Sequence, residues 1–414
     1  MAGRWHWPVW MLVALAAAPA AAADWPQWRG PQRNGVSAET GWLAGWPEGA
    51  EPKTAWRAQV GRGHSPVSVS RGRAYTMGWD GKQDTVFCLD AATGKTLWTH
   101  AYPCETIDTN PGPRIQPTVE GDRVYVVSQR GHCFCLEAAS GKVVWNVVVP
   151  FKAVEDEYGF GCSPLVEGDL LILNAGTAGL ALDKRTGRLV WGKPESNGPP
   201  ASAVPYTHQG QRGVVVWAWR PKPGGDAGRG LLLGVDPRDG RELWRYPWPE
   251  KYSNTIVDPI VHDGRVFATS GYEYKHCARL VLGQGELKPD WQGNALCSHT
   301  GGCVLLDGNL YGVHTESGEL RCVDWNTGQV RWAKGGFGKH GTLMAAGGNL
   351  IVQTSSTGRV VAVDAAPGGY RELRSARVFE GPRDTFTVPV LAGGRLYCRS
   401  YKGEVVCLDM TARR

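Results

Sequence analysis

The side chains best suited to chemistry lie scattered along this chain, and one short stretch groups several of them. The segment GYEYKHC holds Tyr272, Glu273, Tyr274 and His276, residue types that perform acid–base catalysis in enzymes. A hairpin loop with ordinary polar residues has the same composition, and we favour that interpretation. The sequence contains no Gly-x-Ser-x-Gly, His-Glu-x-x-His or phosphate-loop motif, so it lacks these nucleophile, zinc and nucleotide signatures.

The eleven cysteines are a second source of chemistry. Four of them occupy one recurring position, two residues before an acidic residue, where other copies of the pattern have alanine or glycine: Cys88, Cys135, Cys322 and Cys407. A buried thiol packs as a small apolar group, so we interpret these four, with Cys133 and Cys398 in apolar runs, as packing residues. The remaining disulfide candidates are Cys104, Cys162, Cys277, Cys297 and Cys303, and the sequence leaves their pairing open.

An internal repeat shows which elements must position these side chains. The segment VFCLDAATGKTLW (86–98) recurs with clear similarity at 133–145, 179–191, 232–244 and 319–332, and more weakly at 279–291, 359–373 and 404–409. Each copy follows short apolar runs that are separated by Gly-Asp or Gly-Arg turns, which is typical of β-hairpins. Four strands in each of eight units predict an all-β fold, an eight-bladed β-propeller of four-stranded antiparallel blades.

The ends of the chain predict how the ring closes. The last unit stops at CLDMTARR without a fourth strand, whereas KTAWRAQV (53–60) precedes any complete unit. We therefore expect this N-terminal strand to be the outer strand of the last blade, because that arrangement removes an exposed sheet edge.

Each repeat carries an acidic residue, a turn glycine and a tryptophan at fixed spacing. The acidic side chain can accept hydrogen bonds within the turn, the glycine can adopt positive φ, and the tryptophan can pack flat on the neighbouring blade. Tryptophans mark seven outer strands, and the YREL segment near Leu373 marks the eighth. The residues assigned to this docking role are Asp90, Gly94, Trp98, Trp145, Asp183, Gly187, Trp191, Asp236, Trp244, Asp324 and Trp332, with Trp56 and Trp291 in the same position of their strands.

This pattern, A-x-D-x-x-T-G-x-x-x-W, resembles the tryptophan-docking motif of eight-bladed quinoprotein propellers and of ligand-free relatives such as the outer-membrane assembly lipoprotein. The opening DWPQWRGPQRNGVS is similar to the start of exported PQQ-binding-like β-propeller repeat proteins. The resemblance covers nearly the whole chain after residue 23. It implies the fold strongly and the activity weakly, because the docking motif serves blade packing in enzymes and non-enzymes alike.

In such a ring, the residues just before each innermost strand surround the central channel. They include several cationic and titratable groups, which suit an anionic ligand or a solvated channel mouth. The candidate ligand-binding residues are Arg62, His64, Arg114, Asn254, Asp258, His299, His340, Arg383 and Asp384, with Cys162 and Ser202 at the same level.

The resemblance to quinoprotein dehydrogenases implies PQQ, a Ca²⁺ ion held by several oxygen ligands, a catalytic aspartate and often an adjacent cysteine pair. In this ring only Asn254, Asp258 and Asp384 supply suitable oxygens, and the sequence has no Cys-Cys dipeptide. We therefore assign no catalytic residue and no metal ligand, and we expect no cofactor. PQQ with Ca²⁺ belongs to the alternative interpretation.

The N-terminal residues divide into two parts. Residues 1–23 have Arg4, an apolar run and small residues before the expected cleavage site, which is typical of a signal peptide. The segment 24–52, called here the lead-in segment, contains Trp25 and Trp28, which either cover apolar surface on one face of the ring or form an aromatic platform for a glycan or peptide. The propeller itself is expected over 53–414.

Composition and resemblance together predict a periplasmic or secreted protein. The net charge is +6 and the sequence has no run of basic residues, so we expect no nucleic-acid partner. No second apolar segment is long enough to span a membrane after cleavage of the leader. The predicted function is a non-catalytic binding or scaffolding module, monomeric, for a protein, peptide or glycan. The alternatives are a PQQ-dependent alcohol or sugar dehydrogenase and, third, a glycan-binding propeller.

Overall fold

A computed structural model describes residues 23–105, 110–150, 159–194, 198–220, 229–248, 255–272, 274–380 and 386–411. Residues 1–22 of the expected signal peptide lie outside these ranges, as do Glu273, Asn254, Arg383 and Asp384. Within them, one 3-10 turn, Trp42–Gly45, accompanies the strands. No helix in the described ranges has the length and apolar character needed to cross a membrane.

The strands form eight sheets, which we number as blades in chain order. Blades 1 to 4 consist of Ser68–Ser70, Arg73–Trp79, Gln83–Asp90, Thr96–Pro103; Thr118–Glu120, Arg123–Val127, His132–Glu137, Val143–Val148; Leu165–Glu167, Leu170–Leu173, Leu180–Asp183, Leu189–Gly192; and Val204–His208, Gln211–Arg220, Arg229–Val235, Glu242–Trp248. Blades 5 to 8 consist of Ile260–His262, Arg265–Ser270, His276–Val281, Pro289–Gly293; Cys303–Leu306, Asn309–His314, Glu319–Asp324, Val330–Lys334; Thr342–Ala346, Asn349–Gln353, Arg359–Asp364, Glu372–Arg377; and Val390–Ala392, Arg395–Arg399, Glu404–Asp409, Lys53–Gln59. Two short strands add to blades 7 and 4 in parallel: Val36–Ser37 and Gly285–Glu286.

Consecutive strands of each blade pair antiparallel, and the first strands of neighbouring blades contact one another around the ring. The first strands therefore surround the central channel, and the fourth strands form the rim. The eight-bladed all-β propeller predicted from the repeat is confirmed.

The last blade closes the ring as predicted. Lys53–Gln59 pairs antiparallel with Glu404–Asp409, and Trp56 lies opposite Cys407. Arg57 and Glu404 add an ion pair of 2.6 Å across the joint. The N-terminal strand thus covers an edge that the C-terminal strand would otherwise leave unpaired.

The tryptophan of one blade packs on the turn glycine of the next blade. A Cβ atom added to Gly94 would lie 2.6 Å from the Trp56 indole, and one added to Gly141 would lie 2.5 Å from Trp98. The same contact, at 2.5–2.7 Å, joins Gly187 to Trp145, Gly240 to Trp191 and Gly328 to Trp291. These glycines have φ near +72°, so both the backbone conformation and the contact exclude a side chain.

Each docked indole also donates a hydrogen bond to the next blade. Trp98 Nε1 donates to the Ala138 carbonyl at 3.0 Å, and Tyr75, on the second strand of the same blade, donates to that carbonyl at 3.2 Å. Trp56 and Tyr397 share the Ala91 carbonyl in the same way. Tyr75 and Tyr397 are not part of the docking motif identified above, although the segments RAYTM and RLYCR carry them in the same strand position.

The acidic residue of the repeat organises the turn that receives the tryptophan. Asp90 Oδ1 accepts the backbone N–H of Thr93 at 2.8 Å and its hydroxyl at 2.8 Å, and Asp183 bonds Thr186 in the same manner. These bonds lower the pKa of Asp90 and Asp183 because they favour the charged carboxylate, and the bond from the threonine hydroxyl has the largest effect. Asp236 has no threonine in its turn and binds the Arg238 guanidinium instead.

The seam between blades 4 and 5 departs from the repeat. Trp244 donates to the Tyr206 hydroxyl of its own blade at 2.7 Å and lies against Gly234, where a Cβ would be 2.1 Å from the indole. Blade 5 has Val281 at the acidic position, so it lacks the turn on which Trp244 would dock. Gly234 therefore fills a slot that holds alanine or cysteine in six other blades because the indole occupies the space of a side chain.

The eighth docking position also differs from the expectation. In blade 7 the residue opposite the small slot Ala362 is Arg374, not Leu373. Arg374 donates to the Trp46 carbonyl at 2.9 Å, and the neighbouring Gly45 packs directly on the Met410 backbone. The lead-in segment thus contributes Trp46, which is fully buried, at the seam where the outer strand has no tryptophan.

We predict that Gly94→Ala destabilises the protein more than Gly72→Ala. Both glycines have φ near +72°, but a Cβ at Gly72 meets no atom within 4 Å. The shared backbone strain costs about 1–2 kcal/mol, and collision with Trp56 adds about 1–3 kcal/mol for Gly94 alone. Urea unfolding measures the difference, and equal losses of stability would contradict the docking contact.

We predict that Trp145→Ala lowers the free energy of unfolding by about 3–5 kcal/mol, because a buried indole leaves a large cavity. The control is Val144→Ala on the same strand, where the side chain is 41% exposed and a change below about 1 kcal/mol is expected. A small change for Trp145→Ala would mean that the rim tryptophans do not hold the blades together.

Candidate binding cavity of the central channel

A cavity of about 310 Å³ lies on the channel axis. Segments that precede the first strand of every blade contribute to its wall, together with the lead-in segment and the connection after Ser270. The lining residues are Trp28, His64, Pro66, Asn110, Arg114, Gly161, Ser163, Pro200, Ser202, Ile256, Tyr272, His299, Thr300, His340, Phe386, Thr387 and Val388.

The structure brings four of the predicted ligand-binding residues together at this cavity: His64, Arg114, His299 and His340. Arg62 is exposed and is not among the lining residues, since its backbone pairs with Trp79 at 2.8 and 2.9 Å. Asp258 is buried beside the wall rather than in it. Asn254, Arg383 and Asp384 lie outside the described residues.

A fixed offset identifies the wall residues that the sequence analysis missed. In seven blades the residue four positions before the first strand lines the cavity, as His64, Arg114 and His299 do. The same offset gives Ile256 and Phe386, where the sequence analysis had chosen titratable neighbours. The distance of four residues from the first strand is visible in the sequence, but Ile256 and Phe386 are apolar and carry no charge that would mark them as candidates.

Aromatic rings form a continuous arc along one side of the cavity. The ring centroids of Tyr272 and His299 are 5.2 Å apart and stacked, those of His299 and His340 are 6.0 Å apart, and His340 meets Phe386 at 4.9 Å. Phe386 then meets His64 at 5.6 Å. A wall of ring edges and faces suits a flat, largely apolar ligand.

The imidazoles of this arc are neutral at physiological pH. Burial lowers the pKa of His64 to about 3, with Arg114 and Arg399 contributing, and lowers that of His299 to about 4, with His340 contributing. Burial also lowers the pKa of His340. Their ring nitrogens therefore offer hydrogen bonds rather than charge, and His64 Nδ1 is buried with no partner among the described residues.

Arg114 is the one charged side chain among the described lining residues, which include no carboxylate. Its guanidinium donates to the Asn110 carbonyl at 2.9 Å and stands at the exposed side of the wall. Thr387 Oγ1, at the same wall, is buried and has no hydrogen-bond partner in the described part of the chain. The cavity thus combines an apolar arc, a cation and hydrogen-bonding groups, a set that favours a ligand with an anionic group.

The lead-in segment closes the cavity from within the channel. Trp25 pairs with Val69 in the first strand of blade 1, and Val36–Ser37 pairs with the end of the first strand of blade 7. Between these points the chain reaches toward the beginnings of the first strands, where Arg29 donates to the Cys303 carbonyl at 2.6 Å. The lead-in segment therefore lies along the inner strands of several blades, within the channel.

Trp28 forms the floor of the cavity. Its indole N–H donates to Asp258 Oδ2, and Asp258 Oδ1 accepts the Ser202 backbone N–H at 2.7 Å. Burial raises the pKa of Asp258, while the charges of Arg29 and Arg33 oppose that shift. All three side chains are at most 5% exposed, so the carboxylate and two guanidiniums hold the floor together inside the ring.

These residues do not form a Ca²⁺ cage of the kind that quinoprotein chemistry requires. Both oxygens of Asp258 accept protein hydrogen bonds below Trp28, and the described wall residues add hydroxyl, amide and imidazole groups but no carboxylate. Across the described ranges no three His, Cys, Asp or Glu side chains are grouped to bind a metal ion. The flat arc and Arg114 suit a planar anion without a metal.

Comparison with solved structures finds the same fold in proteins of different activity. The quinohemoprotein alcohol dehydrogenase from Comamonas testosteroni is 15% identical, with a TM-score of 0.67 over 96% of this chain and 82% of that one. BamB from Moraxella catarrhalis is 16% identical, with a TM-score of 0.59 over 87% and 99%. A europium-containing methanol dehydrogenase is 14% identical, with a TM-score of 0.67 over 91% and 89%. At these identities the likeness establishes the fold alone.

No curated protein matches the chain significantly. The family PQQ_2, described as outer membrane protein assembly factor BamB, matches residues 49–127, 82–334 and 336–414, which together cover nearly all of the propeller. This chain belongs to that family.

Proposed function

We propose that this protein is a non-catalytic binding module of the cell envelope, in which the channel cavity holds a planar, mostly apolar ligand with an anionic group. One observation carries the proposal: the aromatic arc from Tyr272 to His64 lines a cavity in which Arg114 is the one charged side chain among the described wall residues. Among the described wall residues, neutral imidazoles and the Arg114 cation provide recognition, and none is the carboxylate that would accept a proton in an oxidation of alcohols or sugars.

The envelope location rests on the N-terminal leader, residues 1–23, whose apolar run and small residues are typical of export. The scaffolding role rests on the family, which is described as an outer membrane protein assembly factor. A protein partner is therefore the natural class for the outer surface of the ring. The cavity serves a small ligand or a single side chain of that partner.

A PQQ-dependent dehydrogenase is the second candidate. It is favoured by the likeness to quinohemoprotein alcohol dehydrogenase and methanol dehydrogenase structures. Against it stands the donor set at the cavity, where Asp258 is committed to Trp28 and Ser202. A glycan-binding propeller is the third candidate, and the neutral polar groups of the wall support it. The aromatic arc is the stronger feature, and it favours a flat ligand over a glycan.

We predict that 2-naphthoate binds the purified protein more tightly than the uncharged 2-naphthamide. Arg114→Gln should weaken naphthoate binding by about tenfold or more, equivalent to about 1.4 kcal/mol, and should leave naphthamide binding within about twofold. Arg62→Gln is the matched control, because that arginine is exposed outside the wall. Calorimetric titration at two salt concentrations measures both effects. Equal affinity for the two probes would contradict an anion-binding cavity.

The affinity for naphthoate should be constant between pH 5.5 and 8. His299 and His64 have pKa values of about 4 and about 3, so both imidazoles stay neutral over that range. A steep rise in affinity as the pH falls from 7 to 6 would show that a wall histidine becomes cationic there.

Reconstitution with PQQ separates the two leading candidates. We expect PQQ to bind with similar affinity in Ca²⁺ and in EDTA, since the described cavity has no carboxylate cage, and we expect no dye reduction with alcohols or sugars. Substrate-dependent turnover that requires Ca²⁺ and is lost in Asp258→Asn or Asp384→Asn would overturn the non-catalytic assignment.

A further inference from the structure

Two cysteines from different parts of blade 5 meet in its interior. Cys277 lies in the third strand, opposite Thr269 of the second strand. The Thr269 hydroxyl donates to the Leu296 carbonyl at 2.6 Å and accepts the Ser298 backbone N–H at 3.2 Å. The segment on either side of Cys297 is therefore bound to the residue that faces Cys277, and cross-strand partners project to the same face of a sheet.

Both side chains are fully buried, and the two thiols are near enough to shift each other's pKa. The interaction with Cys297 lowers the pKa of the Cys277 thiol because it stabilises the thiolate, and the interaction with Cys277 raises the pKa of Cys297. Thr315 donates to the Cys297 carbonyl at 2.9 Å, so the backbone of this residue is also fixed from blade 6.

We propose that Cys277 and Cys297 form a disulfide bond in an oxidising compartment. In this step the Cys277 thiolate attacks one sulfur of an acceptor disulfide, such as oxidised glutathione or an oxidised thiol–disulfide oxidoreductase, and releases one acceptor thiolate. Cys297, losing its proton, then attacks the Cys277 sulfur of the mixed disulfide and releases the second acceptor thiol. The protein loses two electrons and two protons, and the acceptor disulfide is reduced to two thiols.

The bond would stabilise the blade that lacks both the acidic turn residue and a tryptophan docked on that turn. Blade 5 has Val281 in place of the acidic turn residue, and the preceding seam has no docked tryptophan, because Trp244 bonds within its own blade. A link between the third strand and the segment that leads into blade 6 holds this part of the ring independently of docking. It also anchors the cavity wall, since His299 follows Cys297 by two residues.

Another cysteine pair provides a matched comparison. Cys133, in the third strand of blade 2, and Cys162, before the first strand of blade 3, are both fully buried and close enough for their charges to interact. Cys162 bonds backbone groups, and its thiol makes no hydrogen bond to Cys133. We therefore expect this second pair to remain reduced under conditions that link Cys277 to Cys297.

Mass spectrometry of the full chain, refolded in a glutathione redox buffer and alkylated without reduction, tests the proposal. We expect a linked Cys277–Cys297 peptide and nine alkylated cysteines of the eleven. Eleven alkylated cysteines, or a link through Cys303 or between Cys133 and Cys162 instead, would overturn it.

Thermal unfolding provides a second readout. A reductant should lower the Tm of the oxidised protein by several degrees and leave the Tm of Cys277→Ser/Cys297→Ser unchanged. An equal decrease in the double variant would contradict the proposal. If that variant does not fold, the peptide mapping of the unaltered chain decides.

Discussion

The structure depends on one contact, made at five of the eight seams, in which the indole of an outer strand lies on the turn glycine of the following blade. The blades are arranged radially, so neighbouring blades approach closely near the axis and diverge toward the rim. An indole is large enough to fill the resulting gap, and its N–H reaches a carbonyl in the next blade, as Trp98 does at Ala138. The turn must leave room for the ring, which is why Gly94 and its counterparts carry no side chain. Since Trp56 comes from the N-terminal strand, the same contact also joins the two ends of the chain.

The two irregular seams show what replaces this contact when its sequence is lost. At the seam of blades 4 and 5 the indole of Trp244 turns back onto Gly234 and bonds Tyr206, which keeps it buried. The link between these blades is made instead by Gly285–Glu286, which pairs with the outer strand of blade 4. In blade 5 the small slot holds Arg279, which lies over the Trp325 ring at 5.3 Å and bonds Asp290. At blade 7, Arg374 reaches the lead-in segment instead. Each irregularity is compensated locally, and the ring remains closed.

The repeat predicted the fold because one local spacing determines blade, turn and docking residue together. Trp98 follows Asp90 by eight residues, with Gly94 midway between them, and the roles of all three follow from turn geometry and side-chain size alone. The cavity was less accessible to this reasoning. His64 and Arg114 were found because they are titratable, but Phe386 was passed over, and nothing in the spacing of the lead-in segment indicates that Trp28 reaches the channel. Contacts between residues far apart in the chain, such as Trp28 with Asp258, depend on the path of an irregular segment that has no repeat to define it.

The lead-in segment also explains why a channel becomes a pocket. A ring of eight blades leaves an opening along its axis, and polar strand ends there would ordinarily contact water. Here the inserted chain satisfies carbonyls such as that of Cys303 and places two guanidiniums around one buried carboxylate. Such charges are stable inside a protein only when they are paired and hydrogen-bonded. Because Asp258 both attracts the charges of Arg29 and Arg33 and accepts the Trp28 indole N–H, the electrostatic balance of the insertion and the floor of the cavity depend on the same residue. The Trp28 indole at the floor of the cavity is therefore held by a carboxylate whose charge the inserted arginines balance.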